Sequence, residues 1–406
     1  PKTAKDFDDA IYFDTKEHTL YVAIADVTAY VHPHMEVDIE AKNRGFTIYF
    51  PHKSIPMLPR ELSENLCSLK PNVDRLSYVF KIILNQSTLA IRKFELFEAI
   101  INSKRRFNYD EVDDAFNHEI TKEDKKFFDF LTPLSKITES WRKSRLQDGF
   151  DFENSEYHLQ LDENLNLLET TTEEQTLSHR LIEECMLKTN QCAASYFNEG
   201  IYRIHEAPAP KSIDNLISDL IPLGIDINIE HHDIHSLVAT IQAKAKTLEV
   251  EEEVDKLIIR SLKRAQYSFH NVGHFGLGFD AYTHFTSPIR RYSDLILHRY
   301  LKSIIANDKK QEIFIHSTLP TLTTKISQLE ELSNKVAWEY EDRVFTRWAN
   351  EHIGDIFQAR VVDLHPIKPP IVKLDDKIKG ARIFLAENSP SVELFESVKI
   401  EIIAVN

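Results

Sequence analysis

Apolar residues in this chain recur with two different periods, and the places where the period changes divide it into parts. Near the start they alternate or run continuously, as strands do. Ala10–Phe13 and Leu20–Ala25 read as a strand pair across the polar turn Asp14–His18, and residues 77–102 as two further strands around Asn85-Gln86-Ser87. From Tyr109 onward the spacing becomes helical: 109–116, 122–145, 173–197, 212–222, 233–246, 250–268, 287–305 and 316–350, with a short hairpin at 156–168. Beyond Asp355 short strands return at 357–362, 371–374, 382–385 and 398–404, the change punctuated by Gly354 and the stretch Pro366–Pro370. This pattern predicts an α+β body over residues 1–350 and a small β module over 355–406, with no internal repeat. Glycine reinforces the division. The chain has 9 in 406 residues, where average usage would give about 28. Gly273, Gly276 and Gly278 fall together, which predicts unusual backbone angles or close approach there.

Composition excludes several classes. Hydrophobic residues are 42% and charged residues 28%, which is incompatible with a disordered chain. No uninterrupted apolar window is long enough for a membrane span, and Pro1–Lys5 has no signal-like apolar core. Cys67, Cys185 and Cys192 have no metal or disulfide spacing and read as buried thiols in a reducing compartment. A net charge of −15 argues against indiscriminate wrapping of nucleic acid but leaves room for a local basic channel.

Three features carry chemistry. Asp6, Asp8 and Asp9 lie within four residues, immediately before a strand. Like charges so gathered repel by about 1 kcal/mol each in water and more at lower dielectric. A fold that collects them calls for a cation, and carboxylate and water oxygens suit Mg²⁺ or Mn²⁺; the bland alternative is a solvated acidic turn. Second, residues 254–302 hold eight Lys/Arg against three Asp/Glu. Thr286 or Ser287 with Pro288 predicts a helix start that brings Arg290 and Arg291 to a helix N-terminus, an anion-favouring place. The alternative is a structural arginine paired with Asp294. The histidines at 270, 274, 284 and 298 fit no zinc pattern and read as core or phosphate-proximal. Third, the aromatics of Phe46–Pro51 and Phe150-Asp151-Phe152 read as core, or as stacking surfaces for unpaired bases beside a cationic channel.

Taken in order, Ala4-Lys5-Asp6-Phe7-Asp8-Asp9-Ala10, Ile24–Val27, Ile55–Pro59, Leu62-Ser63, Leu66–Leu69, Leu181–Glu184 and the long block His274–His298 resemble the catalytic domain of the ribonuclease II/R family. Thr47–Pro51 and Tyr202–His205 resemble its ribonuclease R branch. The resemblance covers residues 1–350. It implies an RNB-type catalytic domain, a mixed sheet surrounded by helices around an RNA channel, followed by an OB-type β-barrel module at 355–406 that is short and divergent. It implies Mg²⁺-dependent, processive 3′-to-5′ hydrolysis of single-stranded RNA to nucleoside 5′-monophosphates. Residue by residue, it assigns metal and catalysis to Asp6, Asp8 and Asp9, the scissile phosphate to Arg290, base clamping to Tyr49 and Phe152, and RNA contacts to Arg291, His284 and Asp342, with Glu341 the alternative to Asp342. It implies a further aspartate just ahead of Pro1, so that the chain is expected to begin inside the motif and without the family's cold-shock-type N-terminal domains. A monomeric catalytic unit in the bacterial cytoplasm, no membrane contact, and at most an RNA helicase or degradation-complex partner complete the expectation. Two rivals stand beside it: a catalytically silent RNA-binding relative, and a phosphatase using Asp6-Phe7-Asp8 as an Asp-x-Asp nucleophile.

Overall fold

A computed structural model describes residues 4–118, 120–152, 156–173, 175–227, 234–248, 250–364, 367–375 and 377–405. The fold is α+β, as the change of period predicts. The first strand pair forms as Asp9–Asp14 against Thr19–Ala25. Two longer strands, Asp74–Leu84 and Ile91–Asn102, continue the sheet in sequence order. Every described pairing in this sheet is antiparallel, so it is antiparallel rather than mixed as expected; the two outer pairs are hairpins with short connections, and the central pair, Thr19–Ala25 with Asp74–Leu84, is antiparallel across the long segment 26–73.

Thr19–Ala25 is an interior strand with Leu20, Val22 and Ile24 fully buried. The helices Lys125–Arg145 and Leu177–Ala194 pack on this sheet and on each other. The helix Tyr292–Ile305 runs through the core, and every residue from Tyr292 to Leu301 is buried. Beside it lies a 42-residue helix, Lys309–Asn350, about 60 Å long at 1.5 Å per residue. A second apolar cluster joins Pro210–Leu220, Ile234–Leu248 and Glu251–Ser261. A third joins Val344 and Trp348 of the long helix to Leu159 and Leu167 of the hairpin and to Val361, Val372 and Ile400 of the C-terminal sheet. That sheet is antiparallel, in the order Arg382–Phe384, Ile371–Leu374, Ile356–Asp363, Ser397–Glu401, and is the small OB-type module expected.

Several boundaries differ from the sequence reading, each for a local reason. Glu173 belongs to the hairpin strand Leu167–Glu173, so the following helix starts at Leu177. The helix expected at 250–268 stops at Ser261, and Gln266–Ser268 pairs instead with Tyr202–Ile204. The helix expected from 287 starts at Tyr292, because Asp294 draws the Ser287 N–H back onto its carboxylate at 2.8 Å and holds 287–291 as a turn. The long helix reaches back to Lys309, capped by Asp308, and Pro320 sits inside it without ending it. One helix, Glu36–Arg44, was missed. Acids at its start, Lys42 and Arg44 at its end and Gly45 beyond were its signals. Gly273 and Gly278 take positive φ. A Cβ on Gly276 would come within 2.7 Å of the His205 ring, so the glycine cluster does serve angle and close approach.

Candidate active site

The acidic segment is fastened from beneath. The buried Ser68 hydroxyl donates to the Lys5 carbonyl at 2.7 Å and accepts from the Phe7 N–H at 3.0 Å. Leu69 N–H donates to the Phe7 carbonyl and Ala25 N–H to that of Asp8. Residues 5–8 are thus held extended, with the carboxylates projecting where the strand Asp9–Asp14 begins. Asp8 is buried; its Oδ1 accepts from the Ile289 N–H at 2.9 Å and its Oδ2 lies 3.6 Å from Arg290 Nε. Burial pushes its carboxyl up to about 7, against the opposing pull of Arg290 and the Ile289 N–H. Burial raises Asp9 as well.

Arg290 stands on the turn that Asp294 organises. Its guanidinium is part-exposed and donates to Ser287 Oγ at 2.9 Å. Its carbonyl accepts from Thr47 N–H at 3.0 Å, and Tyr292 N–H donates to the Gly45 carbonyl at 2.8 Å. These bonds tie the 290–292 backbone to the segment leading into Tyr49. The half-exposed Tyr49 hydroxyl donates to Asp6 Oδ2 at 3.3 Å, and burial raises that phenol, keeping it a donor. Asp6, Asp8, Asp9, Tyr49 and Arg290 therefore share one wall of a cleft of about 1370 Å³.

Among the described residues no three His, Cys, Asp or Glu side chains form a ready-made metal cage. The donors present suit a different mode: Mg²⁺ keeps several waters and takes one or two carboxylates together with a substrate phosphate. A carboxyl that desolvation raises to about 7 fits a cation bound that way.

The other anticipated residues lie elsewhere. Arg291 is bound by both Nε and Nη2 to Asp294, at 3.0 and 2.8 Å. The His284 ring lies 2.8 Å from the Tyr267 hydroxyl, and burial pushes its pKa well below the ordinary value. Phe152 stacks on Phe150 at 5.8 Å against the second apolar cluster. Asp342 is exposed and pairs with Arg382 of the C-terminal sheet at 2.9 Å. None of these four is in the cleft lining. The aspartate expected ahead of Pro1 lies outside the described residues.

The basic surplus of 254–302 also disperses in three dimensions. Lys256, Arg260, Lys263, Arg264, Arg291, Arg299 and Lys302 pair with Glu252, Asp363, Glu206, Glu331, Asp294, Asp38 and Asp26. Of that stretch, only Arg290 lines the cleft. The cleft lining is also basic through residues the sequence reading passes over, Lys104, Arg105 and Arg106, of which Arg105 pairs with Asp124 and Glu111. Arg106 lies over the Phe7 ring at 4.8 Å and Arg105 over Phe107 at 4.3 Å. Three consecutive cations followed by an aromatic were the signal. Lys5, Lys53 and Arg60 add to the lining. The Asp6-Phe7-Asp8 segment precedes a strand, whereas the phosphatase rival needs a buried strand leading into it.

Residues 1–307 match the RNB domain family. The chain is 35% identical over 369 residues to ribonuclease R of Helicobacter pylori, covering 90% of this chain and 56% of that protein. It is 35% identical over 371 residues to ribonuclease R of Aquifex aeolicus, covering 88% and 52%. It spans about half the length of these curated relatives. The structure of Mycoplasma genitalium RNase R in complex with ribose methylated single-stranded RNA superposes with a TM-score of 0.89 at 26% identity, covering 100% of this chain and 68% of that one. Yeast Ssd1, a pseudonuclease, shares the fold with a TM-score of 0.69 at 19% identity, covering 93% and 47%.

Proposed function

This chain belongs to the RNB domain family, and from that premise we propose that it is the catalytic part of a processive 3′-to-5′ exoribonuclease. The observation that carries the proposal is the buried Asp8 carboxyl facing Arg290 on the cleft wall. Water attacks the terminal phosphorus, the bond to the upstream 3′ oxygen breaks, and a nucleoside 5′-monophosphate leaves. Arg290, fixed by Ser287, presents a rigid positive charge where negative charge grows on the phosphate. Asp6, Asp8 and Asp9 are the groups proposed to hold Mg²⁺ or Mn²⁺. What such a cation supplies when bound is charge neutralisation at the phosphate and acidification of water. Tyr49 offers a half-exposed ring beside Asp6 on which a terminal base stacks without regard to sequence. Lys104 and Arg106, in the lining of the same cleft, draw in the phosphate backbone.

Residues 1–350 serve as the catalytic body and 355–406 as an accessory RNA-binding module. Similarity to bacterial relatives supports a bacterial cytoplasmic setting. A catalytically silent relative is the second reading, since a pseudonuclease shares the fold; the intact acids and Arg290 favour activity. A nucleotide-release assay decides. Single-stranded RNA with Mg²⁺ should yield nucleoside 5′-monophosphates, and a phosphomonoester should not react. RNA binding without release would support the silent reading.

A further inference from the structure

The ring of Tyr49 is presented by a very small hairpin. Only Ile48↔Ile55 and Tyr49↔Ser54 pair, and an isolated two-stranded hairpin is marginal in water even when longer. Its root is secured by Thr47, whose N–H donates to the Arg290 carbonyl and whose hydroxyl accepts from Met57 N–H at 3.0 Å. Its return strand is held by Arg60, which donates to the Ser54 carbonyl at 3.0 Å. The tip rests on the long helix. Phe50 lies 4.8 Å from the Tyr340 ring and His52 5.3 Å from it, while Tyr340 Oη and His52 Nδ1 are 3.0 Å apart. Phe50 and His52 also line the cleft. On its other side Tyr340 packs against the third apolar cluster, which the C-terminal sheet completes. Two residues further along the same helix, Asp342 pairs with Arg382 of that sheet.

We infer that Tyr340 is a positioning residue for the cleft: it clasps the hairpin tip through Phe50 and His52, fixes the Tyr49 ring, and links that ring to the C-terminal module. The inference rests on the base-stacking role proposed for Tyr49. Tyr340 is not among the residues that line the cleft with the acids and Arg290, so its loss loosens the hold on the 3′ base without altering them. The physical basis is preorganisation: a ring already held in place loses less freedom when a base stacks on it.

The test reads stacking directly. RNAs carrying 2-aminopurine at the 3′ end, one of about five nucleotides and one of about sixteen, the range over which few or many contacts hold a strand, are titrated into protein bearing Asp8→Asn to prevent cleavage. Base stacking quenches the probe. Tyr340→Ala is expected to weaken binding of the short RNA roughly tenfold, within what one stacked base contributes, and to relieve most of the quenching. Binding of the long RNA should change less than about twofold, since its other contacts remain. Tyr340→Phe keeps the ring and should retain the quenching of the parent, which also shows that position 340 tolerates substitution. Adding Tyr340→Ala to Tyr49→Ala should cost nothing further. Undiminished quenching in Tyr340→Ala, equal losses on both RNAs, or additive losses in the double variant would overturn the inference while leaving the role of Tyr49 intact. Absence of quenching in the parent would overturn the stacking reading and this inference with it.

Discussion

At Asp8 burial and charge conflict. Its carboxyl is raised to about 7 in the folded protein, whereas an unfolded aspartate titrates near 4. The folded state therefore holds this proton more tightly than the unfolded one. The resulting stability is fully present below about pH 4 and is lost as pH rises through about 7. Asp8→Asn removes the ionisation. In chelator-treated protein it should stabilise the fold at pH 8 by a few kcal/mol at most, on the order of the pKa difference converted at 1.36 kcal/mol per unit, seen as a higher melting temperature, and the gain should vanish near pH 4. Differential scanning fluorimetry across pH reads this without any substrate. The same variant should release nucleotides at least about a hundredfold more slowly, since acids and charges at the reacting phosphate carry effects of that size, while single-stranded RNA still binds. A cation competing with that proton should stabilise the parent more at pH 8 than at pH 5. Equal thermal shifts from Mg²⁺ at both values would remove Asp8 from the ligand set. At Arg290 the discriminating change is Arg290→Lys. The charge survives, but the planar fork that holds Ser287 and leaves a second arm for the proposed phosphate does not, so turnover should fall well before RNA affinity does.

The proposed catalytic acids depend on residues of neighbouring elements that do not themselves line the cleft. Ser68 satisfies two backbone groups of the acidic segment from a fully buried position. Ser68→Ala leaves the Phe7 N–H and Lys5 carbonyl without that partner, which costs about 1–3 kcal/mol for a buried group. Because the acids ride on the same backbone, turnover should fall with it, whereas Ser68→Thr should recover part of both if the methyl is accommodated. Denaturant titration beside the nucleotide-release assay separates the two effects. The turn at 287–291 works the same way. A helix start was predicted there from Ser287 and Pro288, but Asp294 takes the Ser287 N–H and both arms of Arg291, leaving Arg290 as the arginine that reaches the cleft. Two adjacent arginines look alike in a sequence; their opposite fates follow from one buried carboxylate within the first turn of the next helix.

At the scale of the whole molecule, the long helix is the common support. Its Ile315, Leu319, Leu322 and Ile326 enter the main core, and its Val344 and Trp348 enter the cluster beneath the C-terminal sheet. Trp348→Ala should destabilise the module by roughly 3–5 kcal/mol, the usual cost of emptying a buried indole site, and the protease sensitivity of residues 355–406 should rise before that of the main body. Simultaneous cleavage of both would show that the two parts unfold as one.

What this chain's sequence determined by itself is what short-range physics controls. Hydrophobic period gave the four strands of the main sheet within a few residues and most of the helices, because each face must be buried. The crowding of Asp6, Asp8 and Asp9 marked a place that needs positive charge, because repulsion between near neighbours is a local quantity. Tertiary structure decided which charges meet. Seven of the eight cations counted over 254–302 pair with acids that do not line the cleft, the eighth, Arg290, faces Asp8, and Lys104, Arg105 and Arg106 add further basic groups to the cleft lining. It also decided that Phe152 lies part-buried against the second apolar cluster while Tyr49 remains half exposed beside Asp6. Linear spacing carries no information about a partner two hundred residues away. Asp8 and Ile289 bond across 281 positions, a contact that exists only once sheet, turn and helix have packed.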